Sequence, residues 1–534
     1  MNHASEPKVL LLNGNILTLD DRVPHAQSIA IQGERILAVG MDDEILNLSS
    51  QEATSIDLHG RTVIPALTDA HIHLKKLALS VEKIDCEVSS LSDCLERVRE
   101  RALTTPAGDW ILGHGWNQNL WERFGQAEDL DGVAPHHPVY LTAKSLHAGW
   151  ANTLAMKQAR IHPDMPDPKG GRIDRDQSGK PTGIFFEEAM KLISSAVPSP
   201  PAHQLAEGIA HIQEDLWRFG LSSVHDFDDE LCLQALNILR DRNTLGLRVL
   251  KNIQKKDFEA TRKLGLKTSS GDHWVRTGNL KLYADGALGP HTAAMIEAYD
   301  NKPQDTGMSL FDKEELLDLA MRAVDAGFAL AIHAIGDRAN REVLDVYEKL
   351  RNYEAEQKIP PMPHRIEHLQ LLHPDDLHRP ARLGIIASMQ PLHATSDMTM
   401  ADLHWGARSR FAYAWRSQLL AGAVLAFGSD APVEPANPFL GLHAAVTRQR
   451  QNGEPSPDGW FPEERITLHD ALLAYTQGPA IVAGWSSILG RLVPSYMADL
   501  IVLDADPYTC DNHALADIKP LATMVAGTWR FREF

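Results

Sequence analysis

From about residue 210 onward, short apolar runs alternate with longer segments whose apolar residues recur at helical spacing. The runs read SSVHDF, LRVLKNI, NLKLYADG, FALAIHAIGD, HRIEHLQ, GIIASMQP and VLAFGSD. Between them lie segments such as KEELLDLAMRAVDAG and REVLDVYEKLRNY, patterned as amphipathic helices. Repeated strand–helix units predict a parallel sheet. With TVIPALTDAHIHL taken as the first strand, the runs number eight, which closes a (β/α)8 TIM barrel of the α/β class.

The two ends of the chain read differently. KVLLLNGNILTLD, QSIAIQGERILAVG and SIDLHGRTVIPAL near the start, and GRLVPSYMADLIVLDADP and ATMVAGTWRFREF at the end, are strand-length runs broken by turn residues. They predict one composite β-sandwich built from residues 1–65 and 485–534. The barrel then takes residues 66–80 and 206–484. Residues 81–205 break the barrel rhythm. Stretches such as GDWILGHGWNQNLW and PDPKGGRIDRDQSGKPTGIFFEEA carry Gly, Pro and Asp clusters that read as turns and long loops. They form an inserted α/β subdomain after the first strand, placed to act as a lid, because loops that follow barrel strands sit over the active-site face.

Composition narrows the class. A chain of 534 residues, 43% hydrophobic and 23% charged, is that of a soluble globular protein with room for a large barrel and an accessory domain. The formal net charge of −19 argues against nucleic acid, which needs a basic face, and against anionic membrane surfaces. No window approaches the roughly 18–20 apolar residues of a membrane span, and the stretch MNHASEPKVLLLNGNILTLDD lacks a signal-peptide pattern. Cys86, Cys94, Cys232 and Cys510 lie far apart with no C-x-x-C pair. That is neither a disulfide framework nor a thiolate metal site, and reduced thiols in a cytoplasmic protein are the expectation.

Within ALTDAHIHLKK, His71 and His73 stand two residues apart and share one face of a strand. The fourth run carries Lys281, the fifth ends in His333, the sixth in His368, and Asp430 follows the eighth. In a barrel all of them converge on the C-terminal face, where catalytic residues of this architecture sit. Imidazole and carboxylate are the donors that zinc and similar divalent metals take when thiolates are absent. His71 and His73 are read as ligands of one metal, and His333 and His368 of a second. Asp430 completes the first site and accepts a proton from the water activated there. Lys281 leaves two readings open. Its ammonium snorkels out or pairs with Asp285, or burial lowers its pKa and the free amine adds carbon dioxide to give a carbamate that bridges two metals.

Taken together these motifs resemble the amidohydrolase superfamily, and within it the amidohydrolase family 3 branch that includes N-substituted formamide deformylase-like proteins. The resemblance runs through LHGRTVIPALTDAHIHL, LGHGWNQ, KPTGIFFEEA, KLYADGALG, AIHAIGDRAN, HRIEHLQ, SMQPLH, AFGSDAPVEPANP and GRLVPSYMADLIVLDADP, nearly the whole chain. It implies a (β/α)8 barrel with a composite β-sandwich and a metal-activated hydroxide attacking a carbon–nitrogen bond. It also implies two zinc ions per chain bridged by carboxylated Lys281. Homodimers are common in the family, although the sequence carries no interface signature. Two stretches depart from the family pattern. SLHAGWANT has Ser145 and Leu146 where an acid and a glycine are usual, and ALGPHTAAM has Pro290 and His291 where small polar and basic residues are expected. Both bear on the substrate rather than on the metal chemistry.

Around this centre, Trp116 and Gln118 in GHGWNQ are candidate substrate contacts, an apolar wall and an amide donor; the insertion's own core is the alternative for Trp116. His147 in the insertion and His393 after the seventh run are further substrate candidates, the latter facing a substrate or transition-state oxygen. Glu367 precedes His368 and by strand alternation points to the opposite face, so it is left out of the site. The function expected is hydrolysis of a non-peptide, amide-like carbon–nitrogen bond in a small organic substrate, with Asp430 passing a proton to the leaving amine. The same machinery serves an ester, lactone or carbamate. A metal-binding regulatory protein without turnover is the alternative from a different class.

Overall fold

The computed structural model describes residues 9–48, 53–81, 83–117, 121, 123–144, 148–168 and 170–534. Two compact units are present, Met1–Leu77 with Ile209–Phe534, and Ala78–Gly208.

In the first unit, the predicted runs fold into one sheet, eight-stranded among the described residues: β1 (Leu67–Ile72), β2 (Leu221–Asp226), β3 (Arg248–Gln254), β4 (Val275–Tyr283), β5 (Leu330–Ala334), β6 (Arg365–His368), β7 (Ile386–Met389) and β8 (Leu425–Phe427). Each strand pairs in parallel with the next in sequence. The seam between β8 and β1 is closed just past the strand ends. There the Asp430 N–H donates to the His71 carbonyl at 2.6 Å and the His73 N–H to the Ala431 carbonyl at 2.9 Å. Every residue of β1 and of β2 is buried, because a barrel strand has packed side chains on both faces.

The helices between strands follow from amphipathic spacing. Lys313–Asp325 buries Leu316, Leu319, Ala320, Ala323 and Val324, and its N-cap Asp312 accepts the Glu314 N–H. It stops at Gly327, whose φ of +80° is open to glycine at little steric cost.

The chain ends meet in two sheets, as expected for a composite β-sandwich. One runs Arg35–Gly40, Ser28–Gln32, Val9–Leu12, Thr54–Asp57. The other runs Thr528–Arg532, Pro520–Val525, Leu500–Leu503, Thr62–Pro65, Asn15–Leu17, His25–Ala26. Leu500–Leu503 lies antiparallel to Thr62–Pro65, with Ile501 opposite Ile64. Leu11, Ile29, Val63, Leu500, Val502 and Met524 share one core.

The second unit is more regular than its turn-rich sequence implies. It holds a mixed sheet in the order Gly171–Arg175, Pro181–Glu187, Ala148–Ala151, Val139–Ala143, Ile111–Trp116, Ile84–Asp85. The Gly, Pro and Asp clusters join these strands rather than forming long loops. The inner strands are short and buried on both sides, so they show no alternation to read. No helix among the described residues is long and apolar enough to cross a membrane.

Candidate active site

At the C-terminal ends of the barrel strands, His71, His73, Lys281, His333, His368, His393 and Asp430 line one cavity of about 350 Å³. His71, His368 and Asp430 form one group whose donor atoms all lie within 4.8 Å of one another. Asp430 Oδ1 is 3.3 Å from His73 Nε2 and 3.6 Å from His71 Nε2. Metal–ligand bonds of about 2.1 Å in a tetrahedral arrangement put donor atoms about 3.4 Å apart, so this spacing suits a metal. The ring centroids of His333 and His368 are 4.6 Å apart and those of His71 and His368 5.0 Å, which joins the two expected histidine pairs in one cluster.

Four of the five imidazoles are each held by a partner on one ring nitrogen. His71 Nδ1 lies 2.7 Å from Glu367 Oε2, His73 Nδ1 3.1 Å from Asp228 Oδ1, and His368 Nδ1 2.8 Å from Gln390 Oε1. A proton on Nδ1 leaves the Nε2 lone pair free. His333 is reversed, with Nε2 donating to the Gly286 carbonyl at 2.8 Å and Nδ1 left free. Burial lowers His71 to about 4 and His333 to about 3, and takes His368 well below the ordinary range. These are neutral imidazoles, the metal-binding form. Burial opposes ionisation of Asp430, yet the facing imidazoles of His71, His73, His368 and His393 hold its carboxyl well below the usual range.

Burial also brings the Lys281 amine down to about 8. Its Nζ lies 4.6 Å from the Phe227 ring centre and 4.8 Å from that of Tyr283. Asp285 is not its partner, since that carboxylate accepts the backbone N–H groups of Ala294, Ile335 and Gly336.

Glu367 corrects the alternation argument. His368 and Leu369 have φ of +72° and +43°, and this left-handed turn ends the strand's period of two. Arg365 and Glu367, two residues apart, both reach the barrel interior, while the turn brings the His368 ring to the cavity as well. Glu367 Oε2 accepts from Arg365 Nη2 at 2.8 Å and from the Ser388 hydroxyl at 2.7 Å. Its carboxylate is therefore shared between a buried guanidinium and His71.

Asp69 and Gly428 also shape the site, through backbone contacts that strand patterning does not show. Asp69 Oδ1 accepts the N–H groups of His71 and Ser429, each at 3.0 Å, and Oδ2 accepts the Ser429 hydroxyl. A Cβ at Gly428 would strike His71 N and Asp69 Oδ1. Asp430 itself has φ +60°, a conformation that costs an aspartate about 1 kcal/mol or more and that this seam holds in place. The spacing of Asp69 from His71, again two residues, was the one signal available.

The sequence profile of the amidohydrolase family matches residues 54–531. The chain belongs to the amidohydrolase family. Protein LONG AFTER FAR-RED 3 of Arabidopsis thaliana is 32% identical over 541 residues, which span 97% of this chain and 91% of the relative. N-substituted formamide deformylase of Arthrobacter pascens is 30% identical over 543 residues, 98% of each chain. A crystal structure of an uncharacterized metal-dependent hydrolase from Pyrococcus furiosus superposes with a TM-score of 0.80 at 29% identity, covering 93% of this chain and 99% of that one. Family membership makes the chain a hydrolase.

Of the insertion candidates, the structure describes Trp116 alone. Trp116 is 1% exposed and its indole N–H donates to the Leu141 carbonyl at 2.9 Å. It packs with Trp121, Trp150, Cys86 and Cys94 in the core of the second unit, which is the structural alternative rather than the substrate wall. Gln118 and His147 lie outside the described residues, as do Ser145 and Leu146.

Proposed function

We propose that this amidohydrolase uses a divalent metal centre to hydrolyse an amide-like, non-peptide carbon–nitrogen bond of a small organic substrate. The observation that carries the reading is the convergence on one cavity of His71, His333 and His368, held neutral by burial, with His73 and an ionised Asp430, at donor spacings that suit a metal. The likeness to the Pyrococcus metal-dependent hydrolase and to the Arthrobacter N-substituted formamide deformylase supports it.

His71, His73 and Asp430 would hold one ion, His333 and His368 a second, and Lys281, carboxylated on its amine, would bridge them. Zinc fits a donor set of nitrogen and oxygen without thiolate. A divalent ion so held supplies Lewis acidity toward a carbonyl and brings the pKa of water toward neutrality. Asp430 takes a proton from the attacking water and passes it to the leaving nitrogen. His393 Nε2 is buried without a hydrogen-bond partner among the described residues and lies 4.0 Å from Asp430 Oδ2. It is placed to donate to the carbonyl oxygen as negative charge develops there. Glu367, Asp228 and Gln390 keep three imidazoles aimed, and Leu288, Met400 and Val433 give the cavity apolar wall.

The test is turnover of N-benzylformamide beside its ester counterpart, benzyl formate, before and after chelation. Amide cleavage that is lost with the metal and restored by zinc is expected. Cleavage of the ester alone, or amide cleavage untouched by the chelator, would overturn the proposal.

A further inference from the structure

The helix Pro391–Trp405, which follows β7, contributes three lining residues to the cavity, His393, Asp397 and Met400. Positions i, i+4 and i+7 share one face of a helix. His393 marks the reacting end, beside Asp430. Asp397 stands one turn further out, about 6 Å along the helix axis, with Met400 beyond it.

Asp397 is held so as to present one oxygen. Its Oδ2 accepts the Tyr413 hydroxyl at 2.6 Å and Gln370 Nε2 at 3.1 Å. Both donors are buried, each 2% exposed. They are tied to each other, since Gln370 Nε2 also donates to the Tyr413 hydroxyl oxygen and the Gln370 carbonyl accepts the Tyr413 N–H at 2.7 Å. Burial and the neighbouring carboxylate keep the Tyr413 phenol protonated, and so a permanent donor. Among the described residues, Asp397 Oδ1 takes no hydrogen bond and Asp397 makes no ion pair. The cavity it lines is mixed, with Leu288, Met400 and Val433 beside the charged side chains of Lys76 and Glu434. A carboxylate fixed in a substrate cavity with one oxygen free favours a ligand that brings its own donor or cation.

We infer that Asp397 sets specificity at the far end of the substrate, selecting amides that carry an ammonium or similar cationic nitrogen about 6 Å from the scissile carbon. The inference rests on the hydrolysis proposed for the same site and deepens it by naming the substrate class. Tyr413 and Gln370 act as positioning residues through Asp397.

N-(3-aminopropyl)formamide and N-butylformamide differ only in a terminal ammonium replaced by methyl, on a three-carbon linker of about the required length. For the zinc-loaded protein, kcat/KM is expected to be at least about ten-fold higher for the ammonium amide, the worth of one charge-assisted hydrogen bond. That ratio should fall to near one in Asp397→Asn and shrink in Tyr413→Phe, which keeps the carboxylate but loosens it. Equal kcat/KM values in the wild type, or a ratio that survives Asp397→Asn, overturn the inference. Turnover of neither amide would sink the hydrolysis reading instead, and calorimetric binding of the same two amides then decides the subsite. Tighter binding of the ammonium amide by wild type and not by Asp397→Asn supports it; binding that does not differ between the two amides overturns it.

Discussion

Replacing Glu367 by glutamine keeps the shape of the side chain and removes its charge. Arg365 would then hold a fully buried guanidinium against a neutral amide. In the native barrel its Nε is 2.5 Å from Oε1 and its Nη2 2.8 Å from Oε2. Breaking a buried pair from one side destabilises a protein by about 3–5 kcal/mol. The amide oxygen that glutamine retains places Glu367→Gln at the lower end of that range. Metal affinity should fall too, because His71 Nδ1–H loses a charged acceptor at 2.7 Å. Outer partners of this kind are worth about 10–100-fold in metal affinity. The assay has two arms, the urea midpoint of chelator-stripped protein by circular dichroism, and zinc competition against a chromophoric chelator. A wild-type midpoint together with wild-type affinity would refute the reasoning. A lowered midpoint with unchanged affinity would refute only the part that runs through His71.

Three further outcomes follow from named contacts. Trp116→Ala should destabilise the second unit by about 3–5 kcal/mol, seen as faster limited proteolysis between residues 78 and 208; native resistance with a raised KM would mean a substrate wall after all. Gly428→Ala should overpack the β1–β8 seam, destabilising by about 1–3 kcal/mol and reducing zinc uptake, and a variant with wild-type melting and metal content would show the approach of His71 N and Asp69 to be slack. An amine is neutral above its pKa, so with Lys281 at about 8 about half of it is free amine at pH 8, against about 0.4% of an ordinary lysine. Cyanate should therefore carbamoylate Lys281 of metal-stripped protein ahead of other lysines, increasingly as pH rises from 7 to 9. Peptide mass spectrometry showing modification at surface-lysine rates would contradict this.

The barrel is legible in the sequence because its strands are buried on both faces, so each prints a continuous apolar run and any polar residue at its end stands out. That is why His71, His73, Lys281, His333, His368 and Asp430 could be picked before the cavity was seen. Glu367 was missed because a period of two assumes uniformly extended backbone, and the positive φ of His368 suspends it at the position where it mattered. Asp69 and Gly428 work through backbone N–H groups and close approach across a seam between residues 360 apart in sequence, which leaves no periodic trace. In the second unit, strands as short as Ala148–Ala151 are too brief to outweigh the turn residues between them. An aromatic such as Trp116 signals burial or binding equally until its neighbours are known.

The metal centre itself is tested by elemental analysis of zinc-loaded protein, wild type beside Lys281→Ala. We predict close to two ions per chain in the wild type, falling to one or fewer in the variant. A wild type that takes up no ion would contradict the centre altogether, and one ion in both proteins would contradict the bridge by Lys281.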